Sequence, residues 1–238
     1  MAFKNVLCYG TINPDLMYFV DEVPIVGGDI RSKDYKIRAG GTAINCAENI
    51  KNWNIKTSIL GNSIGKDPLG EYIISYLKKS KIGFEDVILN EYLTPTCSIY
   101  IDKNGERTII SSGYETCEWN DLNNIENYDS LIIDRYSIKY IHQNLKKNNL
   151  DNIFITQAGY QEKIDYKLDF LVVSKDEIDV LEANSLLKEG LVTWILLTSS
   201  SLPARLLSRD GVLEITPPDF KTLNATGAGD VTAAYIGA

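Results

Sequence analysis

Short apolar segments alternate with amphipathic segments through the second half of the chain, and this alternation restricts the fold more than any other feature. The apolar segments have the length and composition of strands and cover residues 131–133, 153–156, 170–173 and 193–197. Residues 137–147 and 177–187, which lie between them, have the spacing of helices with one buried face. Strands and helices in this order form right-handed βαβ units. We therefore predict an α/β fold with a mostly parallel sheet covered by helices on both faces.

The first half of the chain continues this pattern but contains two segments without a helix. Strands are predicted at residues 6–9 and 57–60, and helices from residue 39 and near Pro68. The segments without a helix are residues 12–38 and 92–115, and the second contains an Asn-Gly step typical of a hairpin. We expect them to form a small separate sheet able to cover a site. Residues 1–238 would then be one domain with two lid segments.

Charge, histidine content and cysteine spacing exclude several classes of function. The net charge of −8 argues against a nucleic acid or an anionic membrane as partner, and no apolar run is long enough to span a bilayer. The four cysteines lie far apart and the single histidine, His142, flanks a surface helix, which disfavours a zinc site and most hydrolase triads. Without a signal-peptide pattern at the N-terminus, we expect a cytoplasmic protein with reduced thiols.

The chemistry is predicted near the end of the sequence, where a Gly-rich loop leads into a helix. The loop residues Thr226, Gly227, Ala228 and Gly229 are small, so their N–H groups can approach a ligand, and a helix N-terminus binds anions such as phosphate. Asp230 at this position suits a base that deprotonates a hydroxyl attacking phosphorus. The alternative is a tight turn in which Asp230 only caps the helix. No Gly-Lys-Ser/Thr follows, so this is not a Walker loop.

Two other groups of residues have the positions of a ligand site. Asn13 and Asp15 follow the first strand, and ligands bind at the carboxyl ends of strands in open α/β sheets. Gly40 and Gly41 precede a helix and allow close approach of the backbone, while Asn45 lies one turn into that helix. The amide of Asn45 is either directed at the same place or an ordinary surface amide, and the two glycines favour the first interpretation.

The order of these motifs resembles that of the ribokinase-like (PfkB) family of sugar kinases along the whole chain. The matching motifs are Gly10-x-x-Asn13-x-Asp15, Gly40-Gly41-x-x-x-Asn45, Gly65-x-Asp67-x-x-Gly70, Asn104-Gly-Glu-Arg107 and Thr226-Gly-Ala-Gly-Asp230. Each motif is weak alone, whereas their order and spacing together are specific. The resemblance implies a Rossmann-like sheet with helices on both faces and a small β-sheet lid.

The resemblance also implies an ATP-dependent carbohydrate kinase, and it assigns roles in acceptor binding and catalysis. Asp15 would hold sugar hydroxyls in a pocket shared with Asn13, Gly40, Gly41 and Asn45. The amides of Gly227, Ala228 and Gly229 would stabilise the transferring phosphate, and Asp230 would deprotonate the acceptor hydroxyl.

For the nucleotide side, the resemblance implies contacts from Ser174, Thr198 and Thr226, with Glu177 reaching Mg²⁺ through water. The expected partners are a small sugar or sugar derivative and ATP, and a second copy of the chain bound through the lid. No nucleic acid and no membrane are expected.

Three departures from the family pattern concern the nucleotide and cation sites. Asn224-Ala225 replaces the usual Asp-Thr before the terminal motif; because that Asp supports a monovalent-cation site, the change argues against potassium activation. Ser174-Lys-Asp-Glu177 keeps only the Glu of an Asn-x-x-Glu motif. Residues 198–201, Thr-Ser-Ser-Ser, have hydroxyls where the family has a Gly-rich turn.

Two alternative functions remain open at the level of the sequence. One is a nucleoside kinase, favoured if Tyr18, Phe19 or Tyr100 stacks on a base rather than forming lid core. The other is a catalytically weak homologue that binds a sugar or nucleoside without turnover. Family members continue past the last helix to wall the adenine pocket, and this sequence stops at Ala238. We therefore expect weak selectivity among nucleoside triphosphates. The alternative is that the natural protein is longer than this sequence.

Overall fold

The computed structural model describes residues 3–147, 150–161, 163–200, 202–218 and 227–238. Its strands are β1 Asn5–Gly10, β2 Asn13–Phe19, β3 Asp34–Gly40, β4 Lys56–Gly61, β5 Ile64–Gly65, β6 Leu89–Asn90, β7 Thr96–Ile101, β8 Arg107–Ser112, β9 Ser130–Asp134, β10 Phe154–Ala158, β11 Leu168–Ser174, β12 Val192–Thr198, β13 Ala204–Ser208 and β14 Gly211–Ile215. Its helices are α1 Thr42–Ile50, α2 Pro68–Lys79, α3 Ile138–Lys147, α4 Val180–Glu189 and α5 Ala228–Gly237. None of the described helices is long and apolar enough to span a membrane.

The main sheet has eight strands in the order β14-β13-β12-β11-β10-β9-β1-β4. The six strands from β12 to β4 are parallel, and the hairpin β13–β14 is added antiparallel at the edge. Every residue of the central strand β9 is buried, as in a sheet covered on both faces. The predicted mostly parallel α/β sheet is confirmed.

The order of the strands determines which helices share a face of the sheet. The crossover from β1 to β4 runs along the sheet in the opposite direction to the crossovers from β9 to β10 and from β11 to β12. Right-handed crossovers in opposite directions place their helices on opposite faces, so α1 lies opposite α3 and α4. Helix α5 packs against α1 and crosses β9, β10 and β11. The helices α1 and α5 therefore meet with their first turns near the carboxyl ends of the strands.

The small sheet has four strands in the order β3-β2-β7-β8. Both helix-free segments contribute to it, since β2–β3 and β7–β8 are antiparallel pairs joined by the parallel pairing of β2 with β7. The prediction of a small separate sheet is confirmed. Because β1 ends at Gly10 and β2 starts at Asn13, the chain passes from the main sheet to the small one within two residues.

Two predicted helix starts were wrong by three residues. Helix α1 begins at Thr42 rather than at residue 39, because Ala39 and Gly40 extend β3 and pair with Pro14 and Asn13. Helix α4 begins at Val180 rather than at Glu177, because Asp179 is the residue that caps it. The Asp179 carboxylate accepts a hydrogen bond from the amide of Glu182 at 2.8 Å.

Candidate active site

Asp230 lies in the first turn of α5 and is held by residues of α1. Its Oδ2 accepts a hydrogen bond from Asn45 Nδ2 at 2.8 Å, and its carbonyl accepts one from Cys46 Sγ at 3.3 Å. Gly227, the N-cap of α5, has a φ of 76° and accepts a bond from the amide of Val231. The structure therefore directs Asn45 at Asp230.

The surroundings of Asp230 weaken its acidity. The pKa of Asp230 is raised to about 6, and desolvation is the largest cause. The nearby Asp134 and Asp15 carboxylates also raise the pKa, while hydrogen bonds from Asn45 and Thr42 lower it. A carboxyl group with a pKa near neutral pH can both take a proton and hold it, which suits a general base.

The two helix N-termini in this region differ in their free hydrogen-bond donors. At α1, the amide of Thr42 donates to Thr11 Oγ1 at 3.0 Å and the amide of Ala43 donates to the Thr11 carbonyl at 3.1 Å. At α5, no atom in the described part of the chain accepts a bond from the amides at positions 228–230. Because the first amides of a helix carry the positive end of its dipole, α5 rather than α1 has the donors that an anion site would need. Thr226, Asn224 and Ala225 lie outside the described residues.

Asp15, Asn13 and the two glycines form one cluster, in which only Gly41 is partly exposed. Asn13 Nδ2 donates to Asp15 Oδ1 at 2.8 Å, and Tyr114 Oη donates to Asn13 Oδ1 at 2.8 Å. A Cβ on Gly40 would lie 2.2 Å from Asp15 Oδ2, and a Cβ on Gly41 would lie 2.2 Å from the Thr11 carbonyl oxygen. Gly41 also has a φ of 86°, so no other residue fits there without strain.

The carboxylate of Asp15 is itself perturbed. Burial raises its pKa above the usual value, while the Asn13 amide and the positive charge of Arg38 lower it. Its Oδ2 accepts no hydrogen bond from the described residues, so one oxygen remains for a ligand hydroxyl.

A cavity of about 260 Å³ brings together predicted residues that are distant in sequence. Ser174 and Thr198 lie directly opposite each other at the carboxyl ends of β11 and β12. The predicted residues on its wall are Ser174, Glu177, Thr198, Gly229 and Asp230. Ser201 of the adjoining turn lies outside the described residues, whereas Ser200 is described and has a φ of 52°.

Glu177 is already engaged on both carboxylate oxygens. Oε2 accepts a hydrogen bond from the amide of Ser174 at 2.9 Å, and Oε1 forms an ion pair with Arg135 Nη1. Both side chains of the ion pair are partly accessible, at 29% for Arg135 and 24% for Glu177, so the pair can be reached from the cavity.

Asp134 is a buried residue of the site that the sequence reasoning missed. Its Oδ2 accepts hydrogen bonds from the amide and the hydroxyl of Thr11, and its Oδ1 accepts from the amides of Tyr136 and Ser137. Asp134 thereby joins the end of β9 to Thr11, which accepts hydrogen bonds from the first amides of α1. The sequence does contain a signal for this residue, namely polar residues at the carboxyl end of a predicted strand. Asp134 and Arg135 follow the predicted strand 131–133 directly, as Asn13 and Asp15 follow the first strand.

A second and larger cavity, of about 680 Å³, is lined by residues that the sequence reasoning did not single out. Its wall has an aromatic part, formed by Tyr114, Trp119, Tyr136 and Tyr140. Trp119 stacks on Tyr140 with ring centroids 4.2 Å apart. Tyr18, Phe19 and Tyr100 line neither cavity, and Tyr18 stacks on Tyr100 at 5.3 Å within the small sheet.

Two other features noted in the sequence have structural contacts away from these cavities. Asp67 caps α2 through the amides of Leu69 and Gly70 and also accepts a bond from the amide of Thr94, just before β7. His142 Nε2 contacts Asp165 Oδ1 at 2.5 Å on the outer side of α3, consistent with its interpretation as a surface residue.

Comparisons with known proteins give one consistent result. A family model described as pfkB family carbohydrate kinase matches residues 4–236. A ribokinase of Dictyostelium discoideum is 32% identical over 134 residues, which are 53% of this chain and 39% of that protein. The match therefore spans less than half of that relative's length.

Solved structures extend the similarity to the whole fold. A ribokinase of Arabidopsis thaliana complexed with ribose and ATP has a TM-score of 0.74 at 19% identity, and the match covers 98% of this chain and 84% of that one. A nucleoside kinase of Methanocaldococcus jannaschii has a TM-score of 0.77 at 20% identity, with 98% and 85% covered. At these identities the likeness concerns the fold.

Proposed function

The chain belongs to the pfkB family of carbohydrate kinases, phosphotransferases that act on sugar hydroxyls, and we propose that it transfers the γ-phosphoryl group of ATP to a hydroxyl of a small sugar or sugar derivative. The observation that carries this proposal is the Asp230 carboxylate on the wall of a cavity, beside helix N-terminal amides that donate to none of the described residues. A base next to an anion site is the pair of groups that phosphoryl transfer to an alcohol requires.

In the proposed reaction, Asp230 takes the proton of the acceptor hydroxyl while the hydroxyl oxygen attacks the γ-phosphorus. A new oxygen–phosphorus bond forms, the bond from the γ-phosphorus to the bridging oxygen breaks, and ADP leaves with that electron pair. The amides of Gly227, Ala228 and Gly229 donate to the phosphoryl oxygens as charge moves onto them. Asn45 acts here as the donor that holds the Asp230 carboxylate in place.

The nucleotide is assigned to the smaller cavity. Ser174 and Thr198 end neighbouring parallel strands there, which is where α/β sheets bind ligands. Thr226, outside the described residues, is proposed as a further contact by its place in the motif. The ATP seen in the Arabidopsis ribokinase agrees with this choice of donor.

The same cavity has a donor set that fits Mg²⁺ held mainly by water and phosphate. Its described residues include the carboxylates of Asp134 and Glu177, and the described part of the chain has no cluster of three or more His, Cys, Asp or Glu able to hold a metal. Mg²⁺ usually keeps several waters and takes one or two carboxylates together with substrate phosphates. We assign Glu177 as the residue that would contact it through water; the ion would neutralise charge on the phosphates.

The acceptor is assigned to the cluster around Asp15. Asp15 Oδ2, which accepts no hydrogen bond from the described residues, can accept a sugar hydroxyl, and Asn13, Gly40 and Gly41 shape the space beside it. Tyr114, which hydrogen-bonds Asn13 and also lines the larger cavity, would connect this cluster to the aromatic wall.

The aromatic wall of the larger cavity also suits a second candidate, a nucleoside kinase of the same family. Aromatic side chains stack on nucleobases, and Tyr136 is exposed while Tyr114, Trp119 and Tyr140 are partly exposed. They also stack on the apolar face of a sugar ring, so the wall alone suits both acceptor classes.

A screen of ADP release against sugars, sugar acids and nucleosides distinguishes these candidates. We expect turnover with a sugar or sugar derivative that Asp230→Asn abolishes. Turnover confined to nucleosides would replace the sugar kinase by the second candidate. Binding of acceptors without any ADP release would indicate a catalytically weak homologue instead.

We also propose that the small sheet, residues 12–38 and 92–115, acts as a lid and joins two copies of the chain. Tyr18, Tyr35 and Tyr100 lie side by side on one of its faces, followed two residues along by Ile37 and Ile110. Tyr35, Ile37 and Ile110 are 38–54% exposed, an apolar surface suited to a second copy. Light scattering of Tyr35→Ser against wild type tests this, since a monomeric wild type would contradict it.

A further inference from the structure

Arg135 lies at the boundary between the two cavities of the site. Arg135 and Tyr136 are the two residues common to both described walls. The absence of a side chain at Gly159 makes room for the arginine side chain, because a Cβ at Gly159 would lie 2.9 Å from Arg135 Cδ. Gly159 also has a φ of 81°, which disfavours any replacement. The fold therefore keeps a long cationic side chain between the assigned nucleotide site and the larger cavity.

The charges around the smaller cavity give this cation a function. Three carboxylates, those of Asp134, Glu177 and Asp230, line it, and Arg135 is the only cationic side chain on its described wall. A triphosphate carries several negative charges, and like charges at short range in a partly desolvated cavity repel strongly. A cation on this wall offsets the repulsion, in addition to the helix amides and a nucleotide-bound metal ion.

The guanidinium also has N–H groups that are not engaged by the described residues. Arginine has five N–H groups in a planar fork. In the described structure Nη1 pairs with Glu177 and Nη2 donates to Tyr136 Oη at 2.7 Å, so N–H groups remain for a second partner. The fork matches phosphate oxygens in a bidentate manner, whereas a lysine would provide only a point charge.

We propose that Arg135 is a catalytic residue that binds the transferring phosphoryl group. It donates hydrogen bonds to the phosphoryl oxygens and takes no proton, while the group passes from the bridging oxygen of ADP to the acceptor oxygen. This inference rests on the proposed kinase function. It adds a residue, Arg135, that lies outside all of the sequence motifs. Glu177 orients the guanidinium through the ion pair.

The test compares binding of Mg·ATP and Mg·ADP by calorimetry, without acceptor, in wild type, Arg135→Gln and Arg135→Lys. We expect Arg135→Gln to lose affinity for ATP on the order of tenfold more than for ADP, because only ATP has the γ-phosphate. In steady-state assays we expect kcat to fall on the order of 10²- to 10³-fold, as for loss of one transition-state donor, with little change in the acceptor KM. Arg135→Lys should retain part of both properties.

A control variant separates this role from a general effect of removing a positive charge. Lys146→Gln removes a cation paired with Asp165 outside both cavities and should bind both nucleotides as wild type does. Equal loss of ATP and ADP affinity in Arg135→Gln, or the same preferential loss of ATP in Lys146→Gln, would overturn the proposal.

The outcomes also distinguish this inference from the proposed function. If wild type releases ADP with an acceptor and Arg135→Gln is as active, the inference fails and the kinase function stands. If wild type binds ATP but turns over no acceptor, the kinase function fails, and the comparison of ATP with ADP still decides whether Arg135 binds the γ-phosphate.

Discussion

The pKa of Asp230 connects its position to a measurable pH dependence. A general base must be deprotonated before it can take a proton, and the pKa of this carboxyl group is raised to about 6. We expect kcat/KM to fall about tenfold per pH unit below pH 6 and to be level between pH 7 and 8. A pH–rate profile measures this, and an acid limb centred near pH 4 would mean that the carboxyl group is not desolvated as in this structure.

Removing the Asp230 carboxylate should remove catalysis and leave binding. We expect Asp230→Asn to reduce kcat by about 10²- to 10⁴-fold, the usual contribution of a general base. Calorimetry of Mg·ATP binding is the control, because the amides of the α5 N-terminus remain. Activity near that of wild type would remove Asp230 from the mechanism.

Ser200 occupies a backbone conformation that favours glycine. Its φ of 52° is in the left-handed region, where a Cβ costs about 1–2 kcal/mol, partly offset by the greater chain entropy that glycine loses on folding. We expect Ser200→Gly to stabilise the protein by about 0.5–1 kcal/mol in urea unfolding. Ser199→Gly, at a position without positive φ, should be neutral or destabilising. Equal effects of the two would show that Ser200 is not strained.

At the scale of the elements, Asp67 joins helix α2 to the small sheet. Its Oδ1 accepts from the amides of Leu69 and Gly70, and its Oδ2 accepts from the amide of Thr94 at 2.6 Å, two residues before β7. Desolvation raises the pKa of Asp67, but the hydrogen bonds from Thr94, Gly70 and Leu69 outweigh it and lower the pKa below the usual value. The family motif around Asp67 therefore has a structural role here.

We expect Asp67→Ala to cost about 2–3 kcal/mol of unfolding free energy, from a lost helix cap and an unpaired Thr94 amide. Asp179→Ala, which removes a cap with one accepted bond, should cost about 1 kcal/mol. Because the folded-state pKa of Asp67 is lowered, its stabilising contribution is present above the unfolded-state pKa and is lost as pH falls through the lowered value. Urea unfolding at neutral and acidic pH measures both effects, and equal costs for the two variants would contradict the joining role.

At the scale of the molecule, we expect binding of the metal and binding of the nucleotide to be coupled to each other and to the stability of the fold. Mg²⁺ usually takes one or two carboxylates together with substrate phosphates, so it should bind together with the nucleotide. We expect Mg²⁺ alone to leave the thermal unfolding midpoint unchanged. Mg·ATP at 100 times its dissociation constant should stabilise the fold by about 2.7 kcal/mol, and chelation with EDTA should stop transfer. A large stabilisation by Mg²⁺ alone would indicate a separate metal site.

Local sequence patterns were enough to predict the elements and several residues of the site. Apolar runs such as residues 131–133 indicate strands because burial on both faces of a parallel sheet requires them. Asp230 was predicted at a helix N-terminus because the preceding small residues and the helix formers that follow are consecutive in the chain. The order of the motifs also indicated the family that residues 4–236 match.

Contacts between distant residues were decided only by the tertiary structure. Asn45 stays predicted for the acceptor pocket, and the structure adds that it donates to Asp230, 185 residues away, because α1 and α5 pack against each other. Asp134 and Arg135 became part of the site because β9 lies beside β1 and its carboxyl end reaches Thr11. Periodicity reports which face of an element is buried, but not which element covers it. That choice depends on the order of the strands and the direction of each crossover, which no single segment encodes.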